Sequence, residues 1–500
     1  MCISEIIPAE PDWSALPDET LGMIAHRLIK LKDVIQFGAS CKPWRRAVPA
    51  KFRQSIPWLM LPYCSSGNYC SSNSATMLGC KGTHTCRCFY DLMEQQFHHI
   101  ELPQGLNKTC RGSAFGWMFM MDRTPSLLLL NPLTRSTIPL PPITSFPDVL
   151  GFFPDKVGKE YLYLDKDGLR IAKGKKEIEH NYIHRVALSA EPTSEECVLM
   201  VIRSPTDRTL AFCRPTTATI DNQKWTLAPN GSGSDGDLSK LICFEDVVYW
   251  KGQFYALVNG GRVFVCDLSS PNCPRLSLFL DVHRSCRIKS INNYLLISPT
   301  DELMMVTRNV SLHGDSRNRD GGSIHQNRYD SVDGDEDFSD DTEWTDDDGD
   351  DSDEDNDLPA DESDREVDHY GMDSESDDND NDGHPIREIQ LLTDDFRVFK
   401  MRGDRKGWDE VESIGDFALF LGYSSATCIS TRDHPELAPN SIYFTDDMTE
   451  KHCKRRLAGA DMGVYDLTTR NFTPFYCTTS VHNNPSFIWP LPVWVLPSNF

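Results

Sequence analysis

The chain has 500 residues, of which 75 are acidic and 50 basic, giving a formal charge of −25 at pH 7. That length exceeds what one core usually organises, so two or three units are expected. No run approaches the ~20 apolar residues that span a bilayer, and the first residues include Glu5 and Glu10 with no basic leader or apolar signal core. A membrane-spanning or secreted protein is therefore not expected, and the expected setting is cytoplasmic or nuclear.

Residues 1–12 have no periodicity and are expected to be disordered. Residues 13–52 then read as a helical module. Pro17 suits a first helical position, and Asp18 and Glu19 favour the positive end of a helix dipole. Leu21, Ile24, Ala25 and Leu28 follow at helical spacing. Asp33 with Gln36 has the form of a capping box opening a second short helix with Val34, Ile35 and Phe37. Cys41, Trp44 and Val48 indicate a third. So few residues build only a small core and usually lean on a partner. Gly22 inside the first helix costs about 1 kcal/mol relative to Ala, and Pro43 is tolerable only near a helix start.

This run, Leu16-Pro17-Asp18-Glu19, Ile24, Leu28, Asp33-Val34, Phe37, Cys41 and Trp44-Arg45, resembles an F-box. The alternative is an unrelated helical hairpin with a buried Trp. The F-box resemblance implies docking on a Skp-type adaptor and, through it, on cullin and RING subunits of a ubiquitin ligase. It implies that Leu16, Pro17, Leu21, Ile24, Leu28, Val34 and Cys41 supply adaptor contacts or their support, while Trp44 closes the small core.

From residue 53 strand-length apolar runs alternate with Gly, Pro, Asn and Asp. The clearest is Val247 to Trp250, a Lys251-Gly252 turn, Phe254 to Val258, an Asn259-Gly260-Gly261 turn, and Arg262 to Val265: three consecutive antiparallel strands. Four apolar strands end on Asp91, Asn131, Asp267 and Asp466, where a side-chain oxygen can accept turn amides. The first interval, 40 residues from Asp91 to Asn131, matches one four-stranded blade. The expected domain is all-β, and these runs fit a kelch-like β-propeller, with a sandwich or split barrel as the rival. The segments Leu128 to Pro142, Cys243 to Leu268, Trp408 to Asp416 and Met462 to Leu467 resemble the kelch-like C-terminal domain of unknown function found in a large plant F-box family.

The β domain is interrupted. Between Asp330 and Gly383 lie 28 Asp or Glu and one basic residue, Arg365, a formal charge of −27, so the remainder is near +2. A like-charge block with few apolar residues repels itself and is expected to be disordered. The division is then a disordered start at 1–12, an F-box at 13–52, a β domain in two parts at 53–310 and 385–500, and an acidic insertion at 311–384. The insertion is expected between a strand near Leu303 to Thr307 and one near Arg397 to Met401. Thr345, Ser352, Ser363 and Ser374 each precede an acidic residue by three positions, as acidophilic kinases favour and as chance in such a tract also gives.

Other features read as structural. The 17 cysteines are expected to be reduced. Cys64, Cys70, Cys80, His84, Cys86 and Cys88 are the densest thiol cluster, but their spacing is poor for zinc and buried or loop thiols are the expectation. Gly231, Gly233 and Gly236 spell G-x-G-x-x-G in a Ser/Asp/Gly loop without the strand and helix a dinucleotide needs. His98-His99 is expected to be an exposed pair on a strand. Lys451, Lys454, Arg455 and Arg456 fit a nuclear signal or a solvated loop. No G-x-S-x-G, P-loop or H-E-x-x-H occurs.

The expected function is therefore a non-catalytic substrate receptor of a Skp-cullin-F-box ubiquitin ligase, with no cofactor, metal, membrane or direct nucleic-acid partner. The alternative is an acidic-tract interaction protein or chaperone for basic proteins such as histones. The target is not encoded in any motif.

Overall fold

The computed structural model describes residues 12–28, 33, 37–38, 40–48, 56–61, 86–92, 94–106, 108–165, 168–203, 208–215, 224–228, 243–268, 274–282, 292–314, 389–447, 461–475 and 492–496. Beyond the N-terminal helices these residues form seven sheets.

The strands run in chain order as β1 (Trp58–Met60), β2 (Cys86–Asp91) and β3 (Gln96–Glu101), then β4 (Lys108–Ala114), β5 (Trp117–Asp122), β6 (Leu127–Leu130) and β7 (Thr137–Leu140). A three-stranded sheet follows: β8 (Val149–Phe152), β9 (Tyr161–Leu164) and β10 (Arg170–Lys173). Next come β11 (Ile183–Leu188), β12 (Leu199–Arg203), β13 (Thr209–Cys213) and β14 (Thr226–Leu227). The following sheet holds β15 (Phe244–Trp250), β16 (Gln253–Val258), β17 (Val263–Asp267) and β18 (Arg275–Leu280). Then come β19 (Asn292–Ile297), β20 (Leu303–Gly314), β21 (Ile389–Met401) and β22 (Trp408–Val411). The last are β23 (Phe417–Leu421), β24 (Thr427–Ser430), β25 (Ser441–Phe444), β26 (Gly463–Asp466), β27 (Asn471–Pro474) and β28 (Val493–Val495).

Six of the seven sheets close a ring. Strand β4 packs on β11, β11 on β15, β15 on β19, β19 on β24, and β28 on β4. The first and last strands of the domain share one sheet, ordered β28-β1-β2-β3, so main-chain pairing ties the two ends together. Trp494 strengthens the seam by donating its indole N–H to the Leu421 carbonyl at 3.0 Å. This is the layout of a six-bladed propeller, whose radial repetition leaves only short, protected sheet edges. The β8–β10 sheet lies outside the ring, because β4 and β11 meet directly.

Cores lie between neighbouring blades. One joins β11–β13 to β15–β17 through Met200, Ile202, Phe212, Phe254 and Phe264, and another joins β19–β21 to the last blade through Leu296, Phe396, Leu419 and Phe444. The three expected strands from Val247 onward are β15, β16 and β17. Their first turn places Lys251 at φ 48° and Gly252 at φ 83°, the left-handed geometry that matches strand twist. The recurring strand-end residues act as expected: Asn131 Oδ1 accepts from the amides of Leu133 and Thr134, and Asp466 Oδ1 from those of Thr468 and Thr469. The 3-stranded sheet and the parallel pairing of β23 with β25 were not expected from the sequence.

Residues 315–388 connect β20 to β21, which are neighbours in one blade. The acidic tract, with Thr345, Ser352, Ser363 and Ser374, lies outside the described residues, as do Val34, Cys64, Cys70, Cys80, His84, Gly231, Gly233, Gly236, Lys451, Lys454, Arg455 and Arg456.

Candidate functional site

Two places gather exposed or buried groups that packing alone does not require. The first is the helical module. Asp12 caps a turn at Trp13–Ala15 by accepting from the Ser14 amide at 3.0 Å. A helix at Asp18–Arg27 follows, with Asp18 and Glu19 in its first turn and His26 and Arg27 in its last, each sign matched to the dipole. Pro17 sits just before this helix rather than in it. A short helix at Lys42–Arg46 carries Pro43 in its first turn, where the missing N–H costs nothing.

Leu21, Ala25, Phe37 and Val48 form the small core, with Leu16, Leu28, Trp44 and Ala47 packed around it. Trp44 closes it as expected: its ring lies 4.7 Å from Phe37, and its indole N–H donates to the Trp13 carbonyl at 2.9 Å. The structure thus divides the residues that the F-box resemblance selects. Leu21 is fully buried, Leu16, Leu28, Cys41 and Trp44 are half-buried, and Pro17 and Ile24 are exposed. Trp13 at 62% and Met23 at 63% exposure extend the apolar surface. Sequence reasoning passed over both, although Met23 lies off the stripe of Leu21, Ile24, Ala25 and Leu28 and is apolar all the same.

The second place is a polar pocket between the inner strands, lined by His184, Arg185, Arg208, Glu245, Asn292, Asn293, Tyr423 and Asp447. Irregularities in pairing create it. Strand β11 is bulged at His184 and β15 at Glu245, and a bulge re-aims a side chain that regular alternation would send elsewhere. In the pocket wall Asp447 accepts from Arg185 at 3.0 Å, from Arg308 at 3.0 Å and from the Tyr294 hydroxyl at 3.0 Å. Arg308 also donates to the Thr445 carbonyl at 2.9 Å and to Asp461 at 2.7 Å. Burial pushes Asp246 up to about 6, against the pull of Arg185, and pushes Glu245 up as well. Burial, with Arg208, Arg185 and Arg111 nearby, holds His184 well below the ordinary imidazole range. Burial alone would lower Arg185, but Asp447 and Asp246 hold it above the ordinary guanidinium range. Donors and acceptors held side by side in this way can pair with a polar group.

Three described cysteines and His98 have structural settings. Cys110, Cys266 and Cys428 are pushed up by burial, to about 11, 12 and 12, which favours the unreactive thiol. His98 corrects an expectation, because it is not an exposed residue. It stacks on Trp58 at 4.9 Å, with Nε2 3.6 Å from Asp91 and 3.7 Å from Glu94. These three are the group among the described residues whose ligand atoms lie close enough to hold a cation. Asp91 already accepts from the Trp58 indole at 3.0 Å and from the Glu94 amide at 3.3 Å, so the cluster ties the β2–β3 turn to β1.

A closed ring of sheets around a polar axial pocket defines a β-propeller. The sequence profile of the KIB1-4 beta-propeller family matches residues 89–466, and the chain belongs to that family. Its relatives are plant F-box proteins. The chain is 25% identical to the putative F-box protein At5g55150 of Arabidopsis thaliana over 306 residues, covering 61% of this chain and 69% of that one. It is 22% identical to the Arabidopsis thaliana F-box protein SKIP23 over 497 residues, covering 97% and 95%. With the Arabidopsis thaliana F-box/kelch-repeat protein At1g57790 it shares 24% identity over 278 residues, covering 52% and 61%. No helix among the described residues is long and apolar enough to cross a membrane.

Proposed function

We propose that the chain is a substrate-receptor subunit of a Skp-cullin-F-box ubiquitin ligase, with 13–52 as the F-box, 53–310 and 385–500 as the target-binding propeller, and 311–384 as an acidic insertion. The observation that carries this reading is the apolar surface of Trp13, Pro17, Met23 and Ile24 over a core of four buried residues. A module with so little core gains stability by covering such a face with a partner. Leu16, Pro17, Ile24, Leu28, Val34 and Cys41 are assigned to adaptor contact or its edge, and Leu21 and Trp44 to support from within. The names of its relatives agree with the assignment.

In this role the chain carries out no covalent step. Ubiquitin arrives on a conjugating enzyme held by the cullin and RING subunits, and the propeller raises the local concentration of target lysines beside it. Adaptor pull-down with Leu16→Ala, Pro17→Ala tests the assignment. Loss of the adaptor with an unchanged propeller melting transition is expected, and retention at wild-type levels overturns it.

A second reading rests on the tract of 28 acidic residues, which suits binding of basic proteins such as histones. It predicts association that weakens steeply with salt and survives loss of the adaptor.

A further inference from the structure

The β8–β10 sheet is built like a sheet covered on both faces, yet among the described residues only one face is covered. Strand β9 reads Tyr161-Leu162-Tyr163-Leu164, an unbroken apolar run, whereas a strand with one solvated face alternates apolar with polar. Tyr161 points inward to the core shared with β5–β7 and β11–β13, and Val149 and Phe152 pack against the same core. The register places Gly151, Leu162 and Ala172 in one row on the other face, and Leu164 with Arg170 in the next.

That outer face is apolar. Leu162 and Leu164 are half-buried and Ala172 is exposed. The Phe153 ring lies over Gly151, where an added Cβ would meet it at 3.1 Å. Leu150, on the bulge of β8, and Leu169, in the turn before β10, are 45% and 63% exposed. Solvent-facing leucines at this density mark an interaction surface.

The charges around the face say what kind of partner it fits. Arg170 stands on it opposite Leu164, and the Lys156 ammonium lies 5.3 Å from the centre of the Phe153 ring. Of the carboxylates in and beside the sheet, Asp148 pairs with Arg203, Glu160 with Lys175, and Glu177, on the helix after β10, with Lys173, while Asp155 is exposed beside Lys156. Asp165 accepts the Leu169 amide in the turn at 2.7 Å.

We propose that the outer face of the β8–β10 sheet docks an acidic amphipathic helix of the target protein, its leucines on Leu162, Leu164 and Phe153 and its carboxylates toward Lys156 and Arg170. A helix is the element that covers an open sheet face, and an edge-added strand would leave these side chains in water. Only the naming of the partner as a target rests on the substrate-receptor reading.

The test uses the full chain and fluorescence anisotropy with two labelled model helices, one of Leu and Glu and one of Leu and Lys. The Leu/Glu helix is expected to bind saturably and the Leu/Lys helix at least about tenfold more weakly. Leu162→Thr with Leu164→Thr is expected to weaken Leu/Glu binding about tenfold or more, because apolar contact supplies the affinity. Lys156→Glu with Arg170→Glu is expected to reverse the preference. Equal binding of the two helices, no binding of either, or binding unaffected by the leucine pair overturns the proposal. Sedimentation showing a dimer that the leucine pair abolishes would assign the face to a second copy of the chain and overturn it too. An unchanged thermal midpoint confirms that these variants fold. Adaptor pull-down with the same variants, expected at wild-type level, separates failure here from failure of the ligase reading.

Discussion

Arg308 and Asp447 form an ion pair at 3.0 Å with both side chains wholly excluded from solvent, joining β20 to the segment that follows β25. Asp447 is also the acceptor for Arg185 and Tyr294, so three buried donors converge on one carboxylate. Such a pair contributes little net stability relative to an apolar replacement, but losing one member leaves uncompensated charge in the core. Asp447→Ala removes the carboxylate that Arg185 and Arg308 share, leaving them Asp246 at 3.8 Å and Asp461 at 2.7 Å, and is expected to cost about 3 kcal/mol in chemical denaturation. A loss below about 1 kcal/mol would mean that solvent reaches the arginines.

Asp246 supplies a pH signature. Its pKa rises from 3.8 to about 6, with burial as the largest cause. Arg185 lies 3.8 Å away, Asp447 adds repulsion, and the amides of Val247 and Leu295 each donate to it at 2.8 Å. A raised carboxyl pKa means that the fold favours the protonated form. The contribution is therefore complete below about pH 4 and is lost as pH rises through about 6. Glu245 and Asp461 shift in the same direction, whereas Glu160, Glu302 and Glu410 shift in the opposite one, so the total curve does not isolate Asp246. The difference between wild type and Asp246→Asn does. The variant is expected to gain stability relative to wild type between pH 4 and pH 7. Parallel melting temperatures across that range would show that Asp246 titrates normally.

The blades were legible where turn chemistry and strand periodicity agree. Lys251-Gly252 between two apolar runs announced a hairpin, and Asn131 and Asp466 announced strand-end turns, because these signals depend on neighbours in sequence. The axial pocket was not legible. Arg185 lies in Ile-His-Arg-Val-Ala-Leu and Arg308 in Val-Thr-Arg-Asn-Val. A charge inside an apolar strand signals a buried partner, but Asp447 is 262 residues from Arg185 in sequence, and only ring closure brings them together. His98 was misjudged for a similar reason, since Trp58 reaches it from β1 across the blade. In the helical module the stripe of Leu21, Ile24, Ala25 and Leu28 holds the inward Leu21 and Ala25 but also the exposed Ile24, while Trp13 precedes any periodic pattern and gave no signal.

The exposed and buried halves of the helical module are expected to respond differently to mutation. Met23→Ser with Ile24→Ser alters exposed side chains and is expected to abolish adaptor capture without loss of helicity. Interfaces concentrate their energy in a few apolar anchors, each worth on the order of 2 kcal/mol. Leu21→Ala instead opens the four-residue core and is expected to cost about 2–5 kcal/mol, melting the module itself. Circular dichroism of an isolated N-terminal fragment is not needed, because hydrogen exchange in the full chain reads helix protection directly. Adaptor capture by the Met23, Ile24 double variant at wild-type strength would place the docking surface elsewhere.

Deleting Asp330 to Gly383 is expected to leave the thermal midpoint and adaptor capture nearly unchanged. Strands β20 and β21 are neighbours in one blade, so a shorter connection still joins the same pair. Loop length itself is a weak lever, about 0.6 kcal/mol per doubling. The tract carries Phe338, Trp344 and Tyr370 as its large aromatics among 28 carboxylates, so deletion removes little apolar surface. What deletion is expected to remove is association with basic proteins, most visibly at low salt, where a Debye length of about 30 Å at 0.01 M lets the carboxylates act together. Titrating a purified histone against the full chain and the deletion variant at two salt concentrations measures this. Equal histone binding by both chains would remove the tract from partner recognition, and a fall of several degrees in the melting temperature on deletion would make it a structural part of the blade.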